Sequence, residues 1–269
     1  MLFRSKVSRV GQHKIIAHRG MSTLAPENTM AAFELMPRYN INWLETDLAI
    51  TNDEKLVIMH DGDVSRTTNG HGRVTSLNFE ELHRLSAGAW FDLKFRNEKV
   101  PTFDDVIDFI NRNQINLNLE IKPINGKDAA RLTRSMVRQL ANRIDRIDSQ
   151  IRVVISSFYP DILMKMKQVR PDLEYACLFN QYTLSLAKPL TGLLNAKIVH
   201  PDNRRLMAAK VRRLKKAGYE VNVWTVDKID RANQLFNWGV DGIFTDIGQD
   251  FPNHRQEQIQ DSHYLTTWF

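Results

Sequence analysis

Short apolar runs alternate along this chain with longer segments whose apolar residues recur at helical spacing. Strand-like runs fall at 15–18, 43–47, 117–121, 151–155, 174–178, 197–199, 220–224 and 242–245. Helical periodicity covers about 27–38, 103–113, 127–144, 161–168, 180–186, 206–217 and 229–238. Strands separated by helices imply βαβ units and a parallel sheet. Eight such strands predict the α/β class and a (β/α)8 TIM barrel. Local punctuation agrees. Pro26 suits a first helical turn, Thr102 and Asp105 have capping-box spacing, and Gly218 and Gly239 sit where helices give way to strands.

Two segments depart from the rhythm. The second strand runs on to Thr51, and 52–55 then forms a polar turn before the returning strand 56–59. With all four residues in the loop, Thr51 faces Leu56 and Asp47 faces His60, so the hairpin brings a histidine to a carboxylate. The stretch 62–101 is far longer than an ordinary βα loop. It holds Asn69-Gly70-His71-Gly72, a weak helix at 78–85 and Ala89-Trp90-Phe91. We expect residues 13–269 to form one catalytic domain. Within it, 62–101 is read as a subdomain inserted over the barrel mouth, shaping the pocket there. The end of the chain, 247–269, is polar and then aromatic and receives no assignment.

Functional side chains of such barrels gather at the C-terminal ends of strands. Here those ends carry His18-Arg19, Glu45 and Asp47 with His60 on the hairpin, Glu120 and Lys122, Ser157-Phe158, His200, Trp224-Thr225 and Thr245-Asp246. Glu45 and Asp47, like Glu120 and Lys122, are two apart on a strand and share a face. Charges inside apolar strands are costly unless paired or metal-bound. A cation and an anion explain three carboxylates and a lysine at one rim better than packing does.

The ordered set His18-Arg19-Gly20, Ala25-Pro26-Glu27-Asn28-Thr29, Glu45-x-Asp47, His60-Asp61, Glu120-x-Lys122, Ser157-Phe158, Trp224-Thr225-Val226 and Thr245-Asp246 resembles the glycerophosphodiester phosphodiesterase family, its bacterial cytoplasmic members most closely. The resemblance spans about residues 15–248. It implies a barrel with an inserted subdomain, one divalent metal ion, and hydrolysis of glycerophosphodiesters to glycerol 3-phosphate and an alcohol. It places acid–base chemistry on His18 and His60, metal ligation on Glu45, Asp47 and Glu120, and phosphate contacts on Arg19 and Lys122. With the hairpin geometry, it makes His60 the acid and His18 the base. Three carboxylates form a hard oxygen site, suited to Mg²⁺, Ca²⁺ or Mn²⁺ rather than zinc. Trp224 either stacks on the glycerol or caps the core. Glu27 and Asn28 are read as organising the loop that follows the first strand. His200, His71 and Cys177 are read as structural, and Thr67-Thr68-Asn69-Gly70 as a stretch that could line the mouth.

Composition sharpens the partner and the setting. A net charge of +6 and a pI near 9.4 suggest nucleic acid, but the basic residues are spread over helical segments with apolar positions between them, so no nucleic-acid partner is expected. A positive field still draws anionic small molecules. One cysteine allows no internal disulfide, and neither a secretory leader nor a membrane-length apolar run is evident, so a cytoplasmic protein without stable membrane insertion is expected. A homo-oligomer stays open. Alternatives are a lysophospholipase D-like enzyme on the same barrel, which needs an apolar lip such as Trp90-Phe91 could offer, a non-catalytic headgroup-binding barrel, which needs the histidines to be missing, and a nucleic-acid phosphodiesterase.

Overall fold

The structure, a computed structural model, describes residues 13–251. Nine strands form one sheet: β1 (Lys14–His18), β2 (Trp43–Ile50), β3 (Leu56–Ile58), β4 (Asn116–Ile121), β5 (Val153–Ser157), β6 (Glu174–Phe179), β7 (Ile198–Pro201), β8 (Glu220–Val223) and β9 (Gly242–Thr245). All but β3 run parallel, and pairing of β1 with both β2 and β9 closes them into a barrel. The helices are α1 (Met30–Phe33), α2 (Phe79–Arg84), α3 (Phe103–Asn113), α4 (Ala129–Ile144), α5 (Pro160–Val169), α6 (Ala187–Leu194), α7 (Ala208–Lys216) and α8 (Ile229–Asn237). All but α2 bury their apolar faces on the outside of the barrel in one continuous core. Inside it, Ile16, Trp43, Val154, Ala176, Ile198 and Phe244 pack together.

The predicted hairpin forms with its register one residue away from expectation. Leu48 pairs with Ile58, Ala49 with Val57 and Ile50 with Leu56, so Asp47 lies opposite Met59 rather than His60. Thr51 stays in the ladder, its N–H donating to Lys55 O at 3.0 Å. Glu54 turns the chain in the left-handed region at φ 67°. The loop is therefore the three residues 52–54, a common hairpin length with a left-handed closing residue. His60 steps off the ladder and still reaches the barrel mouth, where it shares a cavity with Glu45 and Glu120. β1 holds β2 only at Leu44 and Glu45, and β3 takes over the same edge further on, so the rim opens between β1 and β2.

Two helices also differ from expectation. The segment 27–38 is not one helix: α1 is a single turn capped by Thr29, and a 3-10 turn follows at Met36–Tyr39. Pro37 has no N–H to continue an α-helix, and Asn28 is left-handed at φ 56°. The helix expected at 180–186 lies downstream as α6, whose first turn accommodates Pro189. Asn180 instead closes a turn, its side-chain oxygen accepting from the N–H groups of Tyr182 and Thr183.

Residues 62–101 pack beside the hairpin with a small core of their own. Val64, Val74, Leu82, Ala87 and Val100 surround Val57 and Met59 from the outward face of β3. Gly62 and Asp63 line the large cavity of about 790 Å³ at the mouth, and Gly62, Val74 and Thr75 line a further one of about 140 Å³ beside His60 and Lys122. The unassigned end of the chain lies outside the described residues from 252 onward.

Candidate active site

The end of β1 sets the first part of the site. Arg19 and Gly20 are both left-handed, at φ 59° and 84°, so the chain turns sharply off the strand. A Cβ on Gly20 would stand 2.8 Å from the Phe33 ring, which leaves glycine as the residue that fits. The turn presents the Arg19 N–H to the Glu45 carboxylate at 3.0 Å and its guanidinium to Glu27 at 2.7 Å. His18 stands beside it, with Nδ1 2.7 Å from Asp246 Oδ1.

Glu45 and Asp47 rise from one face of β2, and the parallel register sets Asp47 beside Glu120 of β4. All three are buried, and oxygens from the three lie within 4.8 Å of one another. Lys122 Nζ sits 2.6 Å from Glu120 Oε1 and 3.0 Å from Asp47 Oδ1. The second approach lacks hydrogen-bond geometry, so Asp47 Oδ1 is a buried oxygen without a hydrogen-bond donor. Asn28 donates to the other Asp47 oxygen at 2.8 Å and accepts from Thr46, which explains its strained backbone.

Electrostatics separates the three acids. Burial, then repulsion from Asp47 and Glu120, pushes the Glu45 carboxyl up to about 8. Glu120 is raised by burial and by Asp47, with Lys122 opposing. Asp47 goes the other way: burial would raise it, but Lys122, Arg19, His60 and the Asn28 hydrogen bond outweigh that and hold it below the usual carboxylate range. One acid is thus fully ionised while two hold their protons more tightly than usual. Like-charge crowding among three buried carboxylates is what a hard divalent cation relieves, so the donor set fits such an ion.

The two histidines are built alike. His60 Nδ1 lies 2.5 Å from Asp61 Oδ1, matching the His18–Asp246 pair. Asp61 is held near 2, and Asp246 is also lowered, burial in both cases being outweighed by hydrogen bonds and cations. An ionised carboxylate only accepts, so each Nδ1 donates and Nε2 is the nitrogen left for substrate. For the His18 imidazolium, burial is outweighed by the Asp246 hydrogen bond and by Glu45, and its pKa rises. For His60, burial together with Lys122 and Arg19 lowers it against the pull of Asp47.

Arg66 ties the pieces together. Its Nε donates to Asp61 Oδ2 at 2.5 Å, and its two terminal nitrogens donate to Glu27 at 2.8 and 2.7 Å. A chain of ion pairs therefore runs from His60 through Asp61, Arg66 and Glu27 to Arg19. Glu27 and Asn28 do organise the loop, as expected, and they also orient Arg19 and Asp47. Nothing in the spacing of Asp246, Asp61 and Arg66 predicts these pairings. Asp61 and Asp246 belong to the ordered motif set without an assigned role, and Arg66 carries no signal.

A cavity of about 110 Å³ opens among these groups, lined by His18, Arg19, Glu45, His60, Glu120 and Trp224 together with Asn118, Phe158, Leu178, Thr225 and Phe244. Trp224 reaches it held by a 2.8 Å hydrogen bond from its indole N–H to His200 O, with Phe158 edge-on at 5.3 Å. His18, Arg19, Glu45, His60, Glu120 and Trp224 thus meet at one rim, with Asp47 buried against Glu45 and Glu120 and Lys122 lining the neighbouring cavities, while Thr67-Thr68-Asn69-Gly70 does not line it. His200 is buried below it, against Phe244. His71 lies away on an exposed turn.

The sequence model of the glycerophosphoryl diester phosphodiesterase family matches residues 18–248. A glycerophosphodiester phosphodiesterase of Caldanaerobacter subterraneus subsp. tengcongensis is 35% identical over 234 residues, 86% of this chain and 93% of that protein. An Oleispira antarctica phosphodiesterase, solved with the product sn-glycerol-3-phosphate, superposes with a TM-score of 0.83 at 29% identity, covering 88% of this chain and 94% of that one. A glycerophosphodiester phosphodiesterase from Agrobacterium tumefaciens gives 0.70 at 26% identity, over 88% and 97%. The chain belongs to the glycerophosphoryl diester phosphodiesterase family, phosphoric diester hydrolases that act on glycerophosphodiesters.

Proposed function

We propose that this protein hydrolyses glycerophosphodiesters to glycerol 3-phosphate and an alcohol, with one divalent cation held by Glu45, Asp47 and Glu120. The observation that carries the reading is the cluster of three buried carboxylates flanked by two histidine–aspartate pairs. When bound, the cation supplies neutralisation of the phosphoryl charge. Arg19 and Lys122 add fixed positive charge for the anionic diester. Trp224 offers its face to the glycerol in the smaller cavity, whose size suits a glycerol phosphate and little more.

The histidines divide the proton transfers. His60 lines both cavities, between the smaller one and the larger one beside it, and gives a proton to the leaving oxygen. His18 lines the smaller cavity and takes the proton of the attacking hydroxyl. The protein's own charges favour the proton on His18 over His60. Position is the stronger argument, because a cation among the carboxylates changes the charge balance but not the cavity each ring faces. Residues 62–101 act in this reading as a brace, since Arg66 fixes His60 and Arg19 together. Among the described residues no helix is long and apolar enough to cross a membrane. Product analysis tests the proposal: glycerophosphocholine should yield glycerol 3-phosphate and choline, and formation of phosphocholine and glycerol would contradict it.

A further inference from the structure

A second, larger cavity of about 790 Å³ adjoins the first and shares His60, Glu120, Phe158 and Leu178 with it. Its volume falls within the roughly 300–1,000 Å³ typical of sites for drug-sized ligands. It is far larger than the cavity that takes the glycerol phosphate. Its outer walls are largely apolar: Phe158, Tyr159, Leu186 and Leu190, with buried Phe179 behind them. Phe158, Tyr159 and Leu186 leave 37%, 49% and 49% of their surface in water. Contiguous exposed apolar surface of this kind marks a binding groove.

Most polar groups of the groove are already engaged. Ser157 Oγ donates to Ile121 O and accepts from Tyr159 N–H. The Asn180 oxygen closes its own turn. Asp61 is held by His60 and Arg66, and Asp63 caps Ser65. Lys122, the basic residue in the lining, sits against Asp47 and Glu120. A ligand here meets mostly hydrocarbon, with Asp63 Oδ2 and the Asn180 amide N–H groups as the free polar atoms at its edge.

We propose that this groove is the subsite for the leaving alcohol, and that it selects alcohols bearing a long apolar chain. The inference rests on the reading of the barrel mouth as a phosphodiesterase site and names the substrate class that site prefers. Continuity through His60 and Glu120 fixes the occupant: a diester whose glycerol phosphate fills the smaller cavity has its other ester arm beside His60. In the reaction, water adds its oxygen to phosphorus, the P–O bond to the chain-bearing alcohol breaks, and that alcohol leaves with a proton. The apolar lip considered at Trp90-Phe91 is placed instead on the loops after β5 and β6.

The test uses the full chain with Mg²⁺ and sn-glycerol 3-phosphate esters of methanol, n-butanol and n-octanol, below their aggregation limits. These unactivated alkanols present similar chemistry, so differences report binding. Each fully buried methylene is worth about fourfold, and the groove is open at its outer side. We therefore expect kcat/KM for the octyl ester to exceed that for the methyl ester at least tenfold, mostly through KM. Leu186→Asp and Tyr159→Asp, at exposed wall positions, should collapse that ratio toward unity. An octyl chain placed on the glycerol, with methanol as the leaving alcohol, should give no such gain. Equal kcat/KM across the esters overturns the groove while leaving the phosphodiesterase reading intact, as does a gain with the chain on the glycerol. Cleavage of none of them overturns the underlying reading, and the groove with it.

Discussion

The barrel carries charge clusters at both ends, and they behave oppositely. At the lower end Lys14 meets Glu220 at 2.5 Å, and Arg152 grips both oxygens of Glu174 at 2.6 Å and reaches Glu220 at 2.7 Å. Both cations also lie over the Trp43 ring. Two cations answer two carboxylates, and Glu220, despite burial, is held near 2 by Lys14, Asn222 and Arg152. At the upper end Glu45, Asp47 and Glu120 outnumber Arg19 and Lys122, and Glu45 is driven up to about 8. Buried charge alone therefore does not mark a functional site. A cluster that satisfies itself is structural, and one that leaves a carboxylate unanswered calls for something from outside.

Substitution of the histidines tests the upper end most severely. His60→Ala and His18→Ala should each cost about 10²–10⁴-fold on glycerophosphocholine. On a p-nitrophenyl phosphodiester, whose leaving group needs no proton, His60→Ala should recover much of that loss while His18→Ala stays slow. Reversed behaviour in steady-state kinetics would exchange the two roles.

Matched amide substitutions at the two ends sharpen the contrast. Glu220→Gln leaves Lys14 and Arg152 short of a carboxylate and should lower unfolding free energy by about 2 kcal/mol with little effect on turnover. Glu45→Gln removes a crowded negative charge and should leave stability in chelator unchanged or higher, while costing most of the activity. Urea unfolding beside turnover measures both. A stability loss at Glu45 equal to that at Glu220 would erase the distinction.

The effect confined to acid pH concerns His200, between the two ends. Burial pushes its pKa down to about 3. Its folded value lies below its unfolded one, so its contribution is fully present above pH 6.5 and is lost as pH falls from there toward 3. The slope is at most about 1.4 kcal/mol per pH unit. Glu45 and Glu120 titrate in the opposite sense, so the difference between wild type and His200→Phe carries the test. Between pH 6.5 and 4.5, wild type should lose stability faster than the variant, and parallel curves would mean that His200 takes up its proton without cost.

The sequence revealed the site through its strands and missed it in its connections. His18, Glu45, Asp47, Glu120 and Lys122 were legible because strand periodicity and barrel closure send strand ends to one rim. The hairpin register failed because Thr51 and Lys55 pair and Glu54 adopts a left-handed turn, a choice that a run of polar residues does not declare. Asp246 finds His18 only when β9 closes on β1. Arg66 acts from a segment whose docking depends on the apolar face of β3, visible as Val57 and Met59 but not as a direction. The groove wall came from Leu190 in α6, the helix whose position the periodicity misplaced, and from Leu186 just before it.

The most direct measurement of the central claim is glycerol 3-phosphate release from glycerophosphocholine, with metal content determined on the same samples. Chelation should abolish release. Mg²⁺, Mn²⁺ or Ca²⁺ should restore it with one ion bound per chain, and Asp47→Asn should weaken both binding and turnover. Undiminished release in excess chelator, from protein containing no metal, would contradict the assignment of Glu45, Asp47 and Glu120 as its ligands.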